Sequence, residues 1–155
     1  MTPKSQLSVG DRIVGTHRQQ PPGSSFEDEV CRRVARRYRY SARQVHVRRY
    51  APAAGAPGTP GRGLVIADPR AKVDCVGSDR RDGGLRLFEA KESGPPDFAN
   101  PGLTANQRIV YPRLVDHGGE VAADRGPFAA GTRVPGGTRV VVVTPATIDF
   151  VLPEP

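Results

Sequence analysis

Apolar residues recur every fourth position at Phe26, Val30, Val34 and Tyr38, with arginines filling the gaps between the later ones. That period lines one side of a helix and leaves the arginines outside. Ser24 and Ser25 suit its start, Ser24-x-x-Glu27 has the form of a capping box, and Glu27, Asp28 and Glu29 suit the positive end of the helix dipole. The pattern changes to alternation at Val45 and Val47, predicting a strand over 44–50. Residues 51–63 are rich in Ala, Pro and Gly and read as a loop with Arg62 near its tip. Leu64, Val65 and Ile66 begin a strand leading to Asp74. Residues 73–76 and 85–91 are two short strands joined by the polar loop 79–84, which contains the hairpin signal Asp82-Gly83.

A second helix is predicted over 104–115. Thr104 caps it, Gln107 completes a capping box, and Ile109, Tyr111, Leu114 and Val115 carry the apolar run past Pro112. Gln107 and Tyr111 are four residues apart and share a face. The β-branched run in 138–144 predicts a strand buried on both faces, and 148–152 a final edge strand or a docking tail. Together these elements predict an α/β fold: a small mixed β-sheet centred on the 64–91 hairpin, flanked by the two helices on opposite sides. Residues 23–155 are expected to form one domain. Residues 1–22, polar and ending in a Gln-Gln-Pro-Pro run, are expected to be a flexible N-terminal segment or linker.

Composition narrows this picture. Hydrophobic residues make up 37% of the chain, and Gly and Pro number 18 and 16, so long irregular connections should surround a modest core. No apolar run is long enough for a signal peptide or a membrane span. Cys31 and Cys75 form neither a disulfide framework nor a zinc set, and their apolar surroundings predict two small buried side chains. His17, His46 and His117 lack metal-ligand spacing.

The net charge of +7 is unevenly placed: residues 1–50 carry 11 Lys/Arg against 4 Asp/Glu, and residues 51–155 carry 12 against 12. Eight arginines and no acid lie between Arg32 and Arg49. Such a run is either a solvated face or, beside Tyr38, Tyr40 and Tyr50, a phosphate-contacting surface. Arg32, Arg33, Arg36, Arg37 and Arg43 are its candidate contacts.

The hairpin carries the candidate chemistry. If 79–84 is the loop, Asp74 stands opposite Glu89; if the turn is only Asp82-Gly83, it stands opposite Lys91. Both registers put Asp74, Glu89 and Lys91 on one face. Carboxylates are hard oxygen ligands suited to Mg²⁺, and a metal held by two of them polarises a phosphate and activates water.

An Asp, a spacer and then Glu89-x-Lys91 on a hairpin resembles the core of the PD-(D/E)xK nuclease superfamily, with its restriction-endonuclease-like fold. The stretch Phe26-Glu27-x-x-Val30-x-x-x-Val34 is similar to the first helix of that superfamily, which often adds a Glu to the metal site. The resemblance thus implies Glu27 there, with Glu29 as the alternative. Asp68, on an Asp-Pro turn, is the rival to Asp74 for the acidic position. Leu103-Thr104-x-x-Gln107-x-x-x-Tyr111-Pro112-x-Leu114 followed by Gly118-Gly119-Glu120-Val121 resembles nuclease toxin domains of bacterial polymorphic toxin systems. The likeness covers roughly residues 24–145.

What the resemblance implies is a metal-dependent endonuclease acting on DNA, most simply double-stranded. Asp74, Glu89 and Glu27 would bind Mg²⁺ or Mn²⁺, and Lys91 and Gln107 would act at the reacting phosphate. Tyr111 would support them from the same face and contact the nucleic acid, while the arginines hold its backbone. It also implies an antibacterial effector, delivered by a larger toxin or secretion machine into the target-cell cytoplasm and neutralised by an immunity protein, expected to be acidic. The other classes compatible with the chain are a toxin RNase on the same fold, a non-catalytic basic nucleic-acid-binding module and a toxin of different chemistry. No Gly-rich phosphate loop of the G-x-x-x-x-G-K-[ST] type supports the last of these.

Overall fold

The four-residue apolar period forms helix α1 (Ser24–Arg37), with Val30 and Val34 fully buried and Phe26 and Tyr38 half-buried beside them. The structure, a computed structural model, describes residues 24–54, 63–81, 84–92 and 102–154. The expected linker over 1–22, the Asp82-Gly83 turn and Arg62 lie outside them, as do the Ser24 and Ser25 side chains. The strands are β1 (Tyr40–Pro52), β2 (Leu64–Ser78), β3 (Arg86–Ala90), β4 (Gly119–Val121), β5 (Arg133–Val134) and β6 (Val140–Val143). Helix α2 (Ala105–His117) lies between β3 and β4, and a one-turn helix α3 (Ile148–Val151) follows β6. The fold is mixed α/β: one six-stranded sheet in the order β5-β4-β1-β2-β3-β6, with β3 and β6 parallel and every other neighbouring pair antiparallel.

Each face of the sheet has its own core. On one, Val30, Cys31 and Val34 of α1 meet Cys75, Phe88, Val143, Ile148 and Leu152. On the other, Val110, Tyr111 and Leu114 of α2 pack on Val45, Val47, Val73, Val76 and Leu87. Strand β3 divides its side chains between the faces, Phe88 towards α1 and Leu87 and Glu89 towards α2, as the pleat requires.

Strands β1 and β2 break that alternation at the same place. The pairs Ala42↔Val76, Val45↔Val73 and Val47↔Ala71 all pack on the α2 side, so the spacing along each strand is three residues and then two. The break falls at Gln44, opposite Asp74, where no backbone pair forms between Arg43↔Cys75 and Val45↔Val73. Gln44 has φ 57° and is, among the described residues, the one non-glycine with positive φ. Such conformations persist where the surroundings over-determine them. Here the kink takes Asp74 out of the regular ladder.

Three sequence expectations are corrected. Cys31 and Cys75 are not separate buried thiols but a disulfide joining α1 to β2, with 5.5 Å between their Cα atoms. Closing a span of 44 residues contributes about 4 kcal/mol in the chain-entropy model. Strand β6 is not buried on both faces: it is an edge strand paired only with β3, and Val141 is 37% exposed while Val143 is buried. Of the two readings of 148–152, the edge strand is corrected and the docking tail holds: the segment forms a helical turn, and Ile148 and Leu152 close the α1-side core.

Close packing of α1 depends on Gly77. A Cβ there would overlap the Tyr38 ring and Val34, and its φ is not in the left-handed region, so the constraint is steric. Gly77→Ala is expected to cost about 1–3 kcal/mol by overpacking. A urea midpoint equal to wild type would mean that the helix can shift without penalty.

Candidate active site

Strand β3 ends at Ala90 while β2 continues back to Leu64, so the two diverge beyond the pairs Gly77↔Arg86, Val76↔Leu87 and Cys75↔Phe88. The next step of that register is Asp74 opposite Glu89, which corresponds to the 79–84 loop rather than the two-residue turn. At this fork the Asp74 carboxylate replaces a ladder bond: its Oδ2 accepts the Ala90 N–H at 2.8 Å.

Glu89 is only 3% exposed, unusual for a carboxylate unless it is paired. Its partners are two side chains of α2 and the lysine just past the end of β3. Tyr111 Oη donates to Oε1 at 3.1 Å, Gln107 Nε2 donates to Oε2 at 3.2 Å, and Lys91 Nζ lies 3.4 Å from Oε2. Gln107 Nε2 also donates to the Lys72 carbonyl at 3.1 Å, and Tyr111 Oη, with one proton to give, shares it between Glu89 and that carbonyl, 3.2 Å away. That carbonyl lies on β2 beyond its last pair with β3, so α2 supplies its partners.

Gln107 uses both ends of its amide. Thr104 Oγ1 accepts the Gln107 N–H at 3.2 Å and Gln107 Oε1 accepts the Thr104 N–H at 2.9 Å, completing the capping box. With Oε1 committed to the cap, Nε2 is the end that reaches Glu89. One side chain therefore completes the predicted cap and binds Glu89.

A buried carboxylate, Glu89, and a half-buried one, Asp74, beside one ammonium leave an excess of negative charge. Burial and the Glu89 charge push the Asp74 carboxyl up to about 7, with a smaller push from Glu27, against the opposing effects of the Ala90 N–H and Lys91. Burial and the adjacent Glu89 also raise the Tyr111 phenol well above its ordinary value, so it acts as a hydrogen-bond donor.

Glu27 stands next to this group but is held elsewhere: Gln44 Nε2 and Arg43 Nη2 donate to its Oε2 at 2.7 and 3.0 Å. Of the two helix candidates, Glu27 is the one whose charge acts on Asp74. Glu29 is bound by Arg32 and Arg33. Among the described residues, no three His, Cys, Asp or Glu side chains gather closely enough to hold a metal by themselves. Asp74 and Glu89 are a pair, and Glu27 does not make it a triad. The pair nevertheless suits a hard divalent cation, because its oxygens carry charge that the protein only partly offsets.

The arginine run is more internally paired than its sequence suggests. Arg33 bridges Glu29, Asp149 and the Leu152 carbonyl, tying α1 to α3. Arg32 pairs with Glu29 and Glu154, Arg36 with Glu154, and Arg43 with Glu27 and Asp28. The Arg37 guanidinium lies over the Tyr38 ring, 5.9 Å from its centroid. Asp68, the rival acid, is exposed and meets Arg48 at 3.4 Å, away from Glu89's partners.

The structure thus brings together Asp74, Glu89, Lys91, Gln107 and Tyr111, sets Glu27 at the margin, and ties most of the α1 arginines to acids. The Lys72 carbonyl and the Gln44 kink were missed, since a main-chain acceptor and a backbone dihedral leave no residue signature. Among the described residues, no helix is long and apolar enough to cross a membrane. Comparison with protein-family models, curated proteins and solved structures gives no match for this chain.

Proposed function

We propose that the chain is a metal-dependent endonuclease of the PD-(D/E)xK type, hydrolysing phosphodiester bonds in DNA. The observation that carries this reading is Glu89: a carboxylate 3% exposed, oriented by Gln107 and Tyr111, and set beside a second carboxylate whose proton affinity it raises. A Glu-x-Lys on an ordinary strand surface would be solvated, and neither carboxylate would be held this way. Groups shifted by burial and by each other are typical of functional sites. The mixed sheet with α1 on one face and α2 on the other supports a restriction-endonuclease-like core.

Asp74 and Glu89 would hold Mg²⁺ or Mn²⁺, and the ion supplies charge neutralisation at the phosphate and a more acidic water. The chain's own residues do the rest. Tyr111 and Gln107 fix the Glu89 carboxylate, and their shared bonds to the Lys72 carbonyl fix them in turn. Lys91 places a positive charge beside Glu89, where it stabilises the charge developing on the phosphate oxygens. As a binding module without catalysis the protein would have no use for this arrangement.

From the resemblance alone, the biological role is an antibacterial effector acting in a target-cell cytoplasm, neutralised by an acidic immunity protein that covers the site or its basic surroundings. The deciding experiment is incubation of supercoiled plasmid with the wild-type protein in Mg²⁺ or in EDTA. Nicked or linear product in Mg²⁺ and none in EDTA is expected. Cleavage of total RNA but not plasmid would change the substrate and keep the site, and inactivity on both with Mg²⁺ and Mn²⁺ would end the nuclease reading.

A further inference from the structure

The strip of sheet that α1 leaves uncovered forms an open cleft of about 400 Å³ between β1, β2 and the segment after β4, lined by Gln44, His46, Lys72, Ala123, Asp124 and Arg125. His46 and Lys72 are cross-strand partners. The Arg125 Nε donates to the Arg43 carbonyl at 2.8 Å, which fixes its guanidinium against β1. The single acid of the lining, Asp124, is engaged through Oδ1 with the Ala130 N–H. Burial, and then the charges of Arg70, Lys72 and Arg125, depress the His46 imidazole. Two cations, Lys72 and Arg125, therefore line one small concavity, and the charge of Arg70 reaches it from outside the lining.

We propose that this cleft binds the backbone phosphates of the nucleic-acid strand that the Asp74–Glu89 pair cuts. Its place in that reaction rests on the nuclease reading; its affinity for phosphodiesters rests on its own charge. Two features connect it to the pair. Lys72 lies two residues from Asp74 on β2, about 7 Å along a strand, comparable to the separation of neighbouring phosphates in one nucleic-acid chain. Gln44 lines the cleft and also binds Glu27, whose charge acts on Asp74, so the cleft opens on the Asp74 and Glu27 side of the pair. Lysine and arginine here meet phosphate rather than base edges, so binding is salt-dependent and indifferent to sequence. The ion-paired arginines of α1 are not needed for it.

The test is anisotropy binding of a labelled duplex oligonucleotide in EDTA across a salt series, with wild type, Lys72→Gln and Arg36→Gln. Lys72 is exposed, so its substitution leaves both cores intact. The expected result for Lys72→Gln is weaker binding, by about 3- to 10-fold, and a log–log salt slope smaller by about 1, with Arg36→Gln unchanged. A second measurement follows the His46 ring by NMR in the wild type, with the cleft's charged groups Lys72, Arg125 and Asp124, and Arg70 outside the lining, in place. Bound duplex is expected to move its titration upward. Unchanged slope in Lys72→Gln, an unmoved His46, or no duplex binding by the wild type would overturn the proposal. Plasmid cleavage with Lys72-independent binding would discard the cleft and keep the nuclease. Lys72-dependent binding without cleavage of any nucleic acid would keep the cleft and discard the nuclease.

Discussion

Glu89→Gln is expected to lower plasmid nicking in Mg²⁺ by about 10³-fold while leaving duplex binding in EDTA within a small factor of wild type. The substitution conserves shape and keeps an acceptor for Tyr111, so the helix α2 contacts survive in part. What it removes is charge. The metal would lose one of its two anionic ligands and Lys91 its counter-ion at 3.4 Å, a loss of several kcal/mol in the transition state. Lys91→Ala is expected to act in the same direction, through the missing positive charge at the phosphate. Nicking by Glu89→Gln at the wild-type rate would take this residue out of the mechanism.

Asp74→Asn should combine loss of nicking with a gain in stability. In the folded protein the carboxyl titrates at about 7 instead of its ordinary 3.8. The folded state then holds this proton more tightly than the unfolded chain does. The group's contribution to stability is fully present below about pH 4 and is lost as pH rises through about 7. At pH 8 the ionised pair, partly screened by solvent because Asp74 is only half-buried, opposes folding by about 2–3 kcal/mol, and Asn relieves it while still accepting the Ala90 N–H. In EDTA the variant is expected to melt about 4–10 °C above wild type at pH 8 and to show a smaller difference at pH 5. Mg²⁺ should raise the wild-type Tm at pH 8 and leave that of the variant nearly unchanged. Equal differences at the two pH values would show that Asp74 does not carry the repulsion.

Much of the site could be read from local pattern because its parts lie on regular elements. A strand alternation puts Glu89 and Lys91 on one face, a four-residue helical step does the same for Gln107 and Tyr111, and a capping box marks where α2 begins. Those rules act over a few residues and need no tertiary information. The features that escaped are the ones that depend on docking. Cys31 and Cys75 meet only because α1 lies across β2, and nothing in either local pattern records that. The valines of β6 have the composition of an interior strand, but their position at the sheet edge is decided by which strands pair. Residues 148–152 alternate too weakly to specify a strand, and the turn they form is set by the space left beside α1. The α1 arginines read as a one-signed run because their acidic partners Asp149 and Glu154 come from the far end of the chain.

The disulfide has a consequence for covalent connectivity. It makes residues 31–75 a closed ring, with Glu27 on one arm, Asp74 in the ring beside Cys75, and Glu89, Lys91 and Gln107 on the other arm. A single peptide cut anywhere within that ring leaves one molecule, and only a cut together with a thiol yields two. The oxidised protein is therefore indifferent, as far as keeping its acidic groups on one molecule is concerned, to where between Cys31 and Cys75 its chain is opened.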